Sequence, residues 1–132
     1  MNPILVIEDE QAMRLLIQDY LEYLGYTVLL AADGKTALDL VRSEAISIAF
    51  VDINLPDMSG VEVMQEMRTQ GVSCPLVIIS GNLRESYVDE VAHLDVCEIL
   101  EKPIDLTDLE RAILTHAATS PGESKAAQDR VG

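Results

Sequence analysis

Five side chains in this chain are suited to ionic or nucleophilic chemistry, and each stands at the end of a short apolar run. Glu8 and Asp9 follow Pro3 to Ile7, Asp52 follows Ile46 to Val51, Ser80 follows Pro75 to Ile79, and Lys102 comes two residues after Val96 to Leu100. The stretch Ala49-Phe50-Val51-Asp52-Ile53-Asn54-Leu55-Pro56-Asp57-Met58-Ser59-Gly60 states the pattern best: an apolar run, a carboxylate, then a loop marked by Pro56, Asp57 and Gly60. Taken alone, Asp52 reads equally well as a cap on the next element. Three carboxylates drawn to one place repel and raise one another's pKa. A divalent cation removes that cost, and oxygen ligands that leave the ion several waters suit Mg2+. A carboxylate beside Mg2+ and an ammonium can attack phosphorus, since phosphoryl transfer needs mostly positioning and charge neutralisation. Mg2+ would hold phosphoryl oxygens, Lys102 would pair with another, and the Ser80 hydroxyl would donate to a third. The product is an aspartyl phosphate on Asp52. The competing reading is a solvated acidic patch with no ligand.

The elements must bring these residues to one edge. Pro3 to Ile7 reads as a first strand. A helix follows, with Met13, Leu16, Ile17, Tyr20, Leu21 and Leu24 on one face and Gly25 as its C-cap. Tyr26 to Leu30 is a second strand, Asp33-Gly34 a turn, and Ala37, Leu38 and Val41 the apolar side of a shorter helix. Ile46 to Val51 is the third strand. Gly60 to Met67 is a helix with Val61, Met64 and Met67 inward, ended by Gly71. Pro75 to Ile79 is the fourth strand, and a fourth helix turns Val88, Val91 and Leu94 inward. Val96 to Leu100 is the fifth strand. A last helix starts at Asp105 or Thr107 and buries Leu109, Ile113 and Leu106. Strict alternation of strands and helices argues a parallel sheet covered on both faces. Right-handed crossovers put every strand-to-helix loop on one edge, where open α/β sheets bind ligands.

A chain of 132 residues makes one domain with a full core. The formal net charge of −14 argues against nucleic acid and anionic membranes as direct partners, because both need clustered Lys and Arg. Cys74 and Cys97 lack metal spacing and read as free, buried thiols in a reducing compartment. No signal peptide or run of transmembrane length is visible, which points to a cytoplasmic protein. From Thr119 the apolar periodicity stops, and residues 120–132 read as a disordered tail or linker stub after a domain of residues 1–119.

Taken together, Glu8-Asp9, Val51-Asp52 with Leu55-Pro56-Asp57-Met58-Ser59-Gly60, Ser80-Gly81 and Lys102-Pro103 resemble the receiver (response-regulator) domains of two-component signalling. The resemblance covers about residues 3–118. It implies a flavodoxin-like (CheY-like) doubly wound α/β fold: a five-stranded parallel sheet of order 2-1-3-4-5 with five helices. It implies that Asp52 accepts a phosphoryl group from a sensor histidine kinase or phosphotransfer protein in a Mg2+-dependent reaction. Asp9 would ligate Mg2+ directly, Glu8 through water, and the backbone carbonyl of Asn54 would join Asp52 in completing the protein ligands. Ser80 would be the switch hydroxyl and Lys102 the phosphoryl contact, with a cis Lys102-Pro103 bond. The expected output face is helix 4, strand 5 and helix 5, acting on a downstream protein or a further output domain, with room for a phosphorylation-dependent homodimer. The chain departs from the family at Ile99, where relatives often carry an aromatic ring. The switch is therefore expected in the Ser80–Arg84 backbone, with Ile99 nearly fixed. A second departure is Asp95-Val96 in place of Gly-Ala, where Asp tolerates the left-handed region.

Other residues read plainly. His93 and His116 are surface or helix-end histidines, Met58, Met64 and Met67 packing residues, and the acids of helices 1 and 4 solvated faces. The enzyme alternative is a haloacid-dehalogenase-type phosphatase, which also uses Asp, Ser or Thr, Lys and Mg2+. Its nucleophile ends the first strand and has a second Asp two residues on, whereas Asp52 ends the third and has Asn54 there. A flavin module needs a hydroxyl- and glycine-rich phosphate loop after strand 1, and Glu8-Asp9-Glu10 would repel phosphate.

Overall fold

The computed structural model describes residues 1–81 and 89–117. Five strands are present: β1 (Ile4–Ile7), β2 (Val28–Ala31), β3 (Ile48–Asp52), β4 (Leu76–Ser80) and β5 (Val96–Glu101). They form one sheet of order β2-β1-β3-β4-β5, every pair parallel. Between them run α1 (Gln11–Tyr23), α2 (Gly34–Ser43) and α3 (Gly60–Thr69). A 3-10 turn at Ala92–Leu94 leads into β5, and a C-terminal helix, Leu106–Ala112, continues as a π turn at Ile113–Ala117. Most of the fourth helix expected from the sequence, with Val88, falls on residues 82–88, outside the described residues, as does the tail from 118 onward. Among the described residues no helix is long and apolar enough to cross a membrane.

The sheet separates two apolar layers, because successive side chains on a strand point to opposite faces. Leu5, Ile7, Val51, Leu76 and Ile78 pack with Leu38, Val41, Val61, Met64 and Met67 of α2 and α3. Ile4, Val6, Phe50, Val77 and Ile79 pack with Ile17 and Leu21 of α1 and with Leu109 and Ile113 at the C-terminal end. Every residue of β1, β3 and β4 is buried. Each Val, Leu, Ile or Phe side chain among them contributes about 1.5–3 kcal/mol relative to exposure.

Local chemistry fixes the element boundaries. Ser59 and Glu62 form a reciprocal capping box at the start of α3. Asp105 caps the C-terminal helix through Thr107. Gly25 and Gly71 sit at φ +99 and +87 just after α1 and α3, where a Cβ is penalised. Asp95 takes φ 56, the left-handed conformation expected of it.

Several expectations are corrected. Asp33-Gly34 is not a free turn: Asp33 caps α2 by accepting the Thr36 N–H, and Gly34 is the first helical residue. Strand β2 starts two residues later than expected, at Val28: the Tyr26 N–H is still spent on the turn out of α1, bonded to the Leu21 carbonyl, and Thr27 only begins the pairing by accepting the Ile4 N–H. Strand β3 starts at Ile48 and takes in Asp52 itself. Leu16 is 49 % exposed rather than inward; Ile17 and Leu21 fill that face, and neighbouring Leu15 is exposed too. Cys74 is buried, but Cys97 is exposed on β5, the last strand of the sheet.

Candidate functional site

Strand ends set the geometry. β1 and β3 are neighbours in register, Ile7 opposite Val51, so the residue after β1 and the last residue of β3 meet at one edge. Glu8 is 0 % exposed and Asp52 2 %. Oxygens of Glu8, Asp9 and Asp52 all lie within 4.8 Å of one another. Lys102 reaches this edge from the end of β5. Its Nζ stands 2.9 Å from Asp52 Oδ2 and 3.0 Å from Glu8 Oε1. The Lys102 backbone N–H donates to the Ser80 carbonyl at 2.8 Å, which ties β5 to the end of β4. Ser80 itself is buried.

The electrostatics follow from two carboxylates sharing one ammonium. Burial pushes Glu8 up to about 7, and the neighbouring Asp52 carboxylate adds to the rise. For Lys102, burial acts downward, but the adjoining Asp52 and Glu8 carboxylates outweigh it and the net shift is upward. Asp52 Oδ1 accepts the Asn54 N–H at 3.0 Å, so each of its oxygens has one donor. Glu8 Oε2 accepts the Glu10 N–H at 3.1 Å. Glu8 Oε1 is buried and stands 3.0 Å from the Lys102 ammonium, but among the described residues no donor meets it in hydrogen-bond geometry. A buried carboxylate oxygen with no aligned hydrogen-bond donor, beside two more carboxylates, fits a hard cation that takes oxygen ligands.

The loop after Asp52 is held from three sides. Gly60 N–H donates to the Ile53 carbonyl, and Asn54 bridges Ser59. A Cβ on Gly60 would run into the carbonyl oxygen of Asp52 and lie 2.9 Å from Ile53 Cα, so the chain can turn here only with glycine. Asp57 reaches across to α2 and accepts the N–H groups of Gly34 (2.9 Å) and Lys35 (3.0 Å). Those two hydrogen bonds hold its carboxyl below the usual range. On the other side, Arg14 Nη1 donates to the carbonyls of Glu8 (2.9 Å) and Asp9 (3.2 Å). Sequence reasoning missed the roles of Gly60, Asp57 and Arg14 because each acts on backbone atoms, which leave no spacing signal.

Every residue assigned to the site by sequence stands at this edge, and Glu8, Asp9, Asp52 and Lys102 converge within ion-pair or ligand range. Gly81 is exposed, and the segment through Arg84 lies outside the described residues. Ile99 is half-buried against the α2–α3 layer. His93 is exposed, whereas His116 pairs with Glu98 at 3.0 Å, a contact the sequence did not suggest. Arg111 also pairs with Glu98, and holds that carboxylate below its ordinary range with help from His116.

Residues 4–114 match the response regulator receiver domain family. The chain belongs to that family. Receiver domains are regulatory, phosphorylation-dependent switches, and the match decides against the phosphatase reading. The chain is 33 % identical over 129 residues to the response regulator MprA of Mycolicibacterium vanbaalenii, covering 94 % of this chain and 55 % of that protein. It is 33 % identical over 111 residues to the Regulator of RpoS of Escherichia coli, covering 83 % of this chain and 33 % of that one. The chain thus spans from a third to about half the length of these relatives. Among solved structures, a CheY-like receiver domain from Methanospirillum hungatei superposes with a TM-score of 0.81 at 23 % identity, covering 100 % of this chain and 99 % of that one. A sensor histidine kinase receiver domain from Pseudomonas aeruginosa, with a magnesium ion coordinated in its active-site cleft, gives 0.81 at 24 % identity over 89 % and 98 %. Both likenesses speak to the fold of this receiver domain.

Proposed function

We propose that Asp52 is the phosphoacceptor of this receiver domain and that Glu8, Asp9, Asp52 and the Asn54 carbonyl hold Mg2+ beside it. The observation that carries this reading is the single Lys102 ammonium between the buried carboxylates of Asp52 and Glu8. Bound Mg2+ supplies neutralisation of the phosphoryl oxygens and of the carboxylate cluster. An Asp52 carboxylate oxygen forms a bond to phosphorus while the donor's P–N bond (phosphohistidine) or P–O bond (acetyl phosphate) breaks. The electron pair of that bond leaves on the donor. Lys102 turns from Asp52 Oδ2 to a phosphoryl oxygen, and the Ser80 hydroxyl donates to another.

The donor in the cell is a sensor histidine kinase or phosphotransfer protein, and the setting is cytoplasmic. Phosphoryl oxygens draw Ser80 and the chain after it, and the altered surface changes affinity for a downstream partner or output domain. Residues 1–119 form the switch and 120–132 a tail or linker. With Mg2+ and acetyl phosphate, mass spectrometry is expected to find one acid-stable, base-labile phosphoryl group on the wild type and none on Asp52→Asn. Full labelling of Asp52→Asn rejects the assignment. Lys102→Ala is expected to lose labelling while retaining most of its Mg2+ affinity.

A further inference from the structure

Asp9 differs from the other carboxylates of the cluster. Glu8 and Asp52 are buried and tied by donors, whereas the Asp9 carboxylate is exposed and accepts no hydrogen bond among the described residues. It nonetheless lies within 4.8 Å of two like charges. Only its backbone can hold it there. Helix α1 begins with no side-chain cap at Glu10; within the turn Glu8 Oε2 accepts the Glu10 N–H at 3.1 Å, which leaves the Glu8 and Asp9 carbonyls to another donor. What grips that backbone is Arg14: one nitrogen, Nη1, meets the successive carbonyls of Glu8 and Asp9 at 2.9 and 3.2 Å. Two consecutive carbonyls aimed at one nitrogen fix both peptide planes, and with them the direction of the Asp9 Cα–Cβ bond.

We infer that Arg14 is a positioning residue for the metal side of the site, acting on Asp9 through the backbone. This rests on the Mg2+ reading above. Its charge works against its geometry. A guanidinium near the ligands repels a divalent cation, so loss of charge alone would tighten Mg2+ binding. Loss of the tether lets Asp9 swing away and weakens binding; groups that orient metal ligands are typically worth 10–100-fold in affinity. The two effects have opposite signs, which makes the inference testable.

Mg2+ is titrated by calorimetry and by amide shifts of residues 8–10 into the wild type, Arg14→Gln, Arg14→Lys and Asp9→Ala. If the wild type fails to bind, or Asp9→Ala binds as well as the wild type, the Mg2+ site itself is rejected. Given a wild-type site, Arg14→Gln is expected to bind about tenfold more weakly. Arg14→Lys, which keeps the charge and can still reach a carbonyl, is expected to fall between them. Thermal melts of the metal-free variants are expected to stay near the wild type, and labelling by acetyl phosphate to recover at saturating Mg2+. Arg14→Gln binding Mg2+ as tightly as the wild type or tighter, or Arg14→Lys falling below Arg14→Gln, overturns the inference. So does a labelling defect that extra Mg2+ leaves in place, or a weakened affinity that merely tracks a large loss of metal-free stability.

Discussion

Both edges of the sheet are organised by a cation among oxygens, and they have opposite characters. At the edge where the strands begin, Arg68 of α3 donates from Nε to the Leu94 carbonyl at 2.8 Å and from Nη1 to those of Val72 and Cys74 at 2.9 and 2.8 Å. A surface cavity of about 410 Å3 opens beside it, but its guanidinium is already occupied by backbone. At the other edge, Lys102 stands between two carboxylates that compete for it. Carbonyls carry no net charge, so gathering them around a guanidinium satisfies everyone at once. Carboxylates lose their water on burial and repel one another, so gathering them here leaves Glu8 displaced toward the neutral form. One edge is settled; the other is poised to exchange partners when an anion or cation arrives.

Removing the cation from the settled edge is the strongest way to test that contrast. Arg68→Ala leaves three carbonyls short of a donor, Val72 and Cys74 between α3 and β4 and Leu94 in the turn before β5. At about 1.5–3 kcal/mol for each charged hydrogen bond, offset by water at this partly exposed site, the expected loss is about 3 kcal/mol. Calorimetry should show Tm lower by roughly 10 °C, while labelling of Asp52 in the folded protein is unchanged. A labelling defect equal to the stability defect would show that the edges are not separate.

A smaller effect sharpens the other side. Gly60→Ala places a methyl group against backbone that cannot yield, so about 2 kcal/mol is lost, in the range of overpacked sites. Because the clash is with Asp52 and Ile53, Mg2+ affinity is expected to fall as well, which Arg68→Ala should not cause. Denaturant titration with and without Mg2+ separates the two.

The smallest effect is the sign of the pH dependence without metal. Glu8 is raised to about 7 against an ordinary 4.5, so between those values the folded state holds more protons than the unfolded. Its contribution makes stability rise as pH falls from above 7 toward 4.5. Asp57 and Glu98 are shifted the other way, by backbone N–H groups and by Arg111 respectively. Their stabilisation is present above their ordinary values and fades as pH falls below about 4. Denaturant midpoints are expected to peak near pH 5. Lys102→Met, which leaves two buried carboxylates without a counter-charge, should steepen the rise. A flat profile between pH 5 and 8 would remove the competition from Glu8.

The fold was legible because alternation and turn residues are periodic signals. Gly25, Gly71 and Asp95 marked their turns, and the four strand ends carried the site. What escaped notice was whatever acts through backbone. Arg14 and Arg68 look like ordinary surface charges in sequence, and Asp57 like a loop marker, since carbonyls and N–H groups have no letter. Leu16 and Ile17 could not be ranked from spacing, because a one-residue rotation of α1 decides which is buried. Cys97 sits in an apolar run, but it lies on an edge strand, and edge position is a property of the sheet. The Glu98–His116 pair joins residues eighteen apart through a π turn that no local pattern announced.

Strand β1 lies inside the sheet, not at its edge, and that has a consequence measured in time. Ile4 and Val6 are synthesised before their partners, and β3 pairs with them only 44 residues later. Part of their cover, Ile113, comes near the end of the described chain. At about 5–20 residues per second, a hundred residues of synthesis take roughly 5–20 s. For those seconds the first strand waits with its apolar face incompletely covered. A chain stopped short of Ile113 would wait indefinitely.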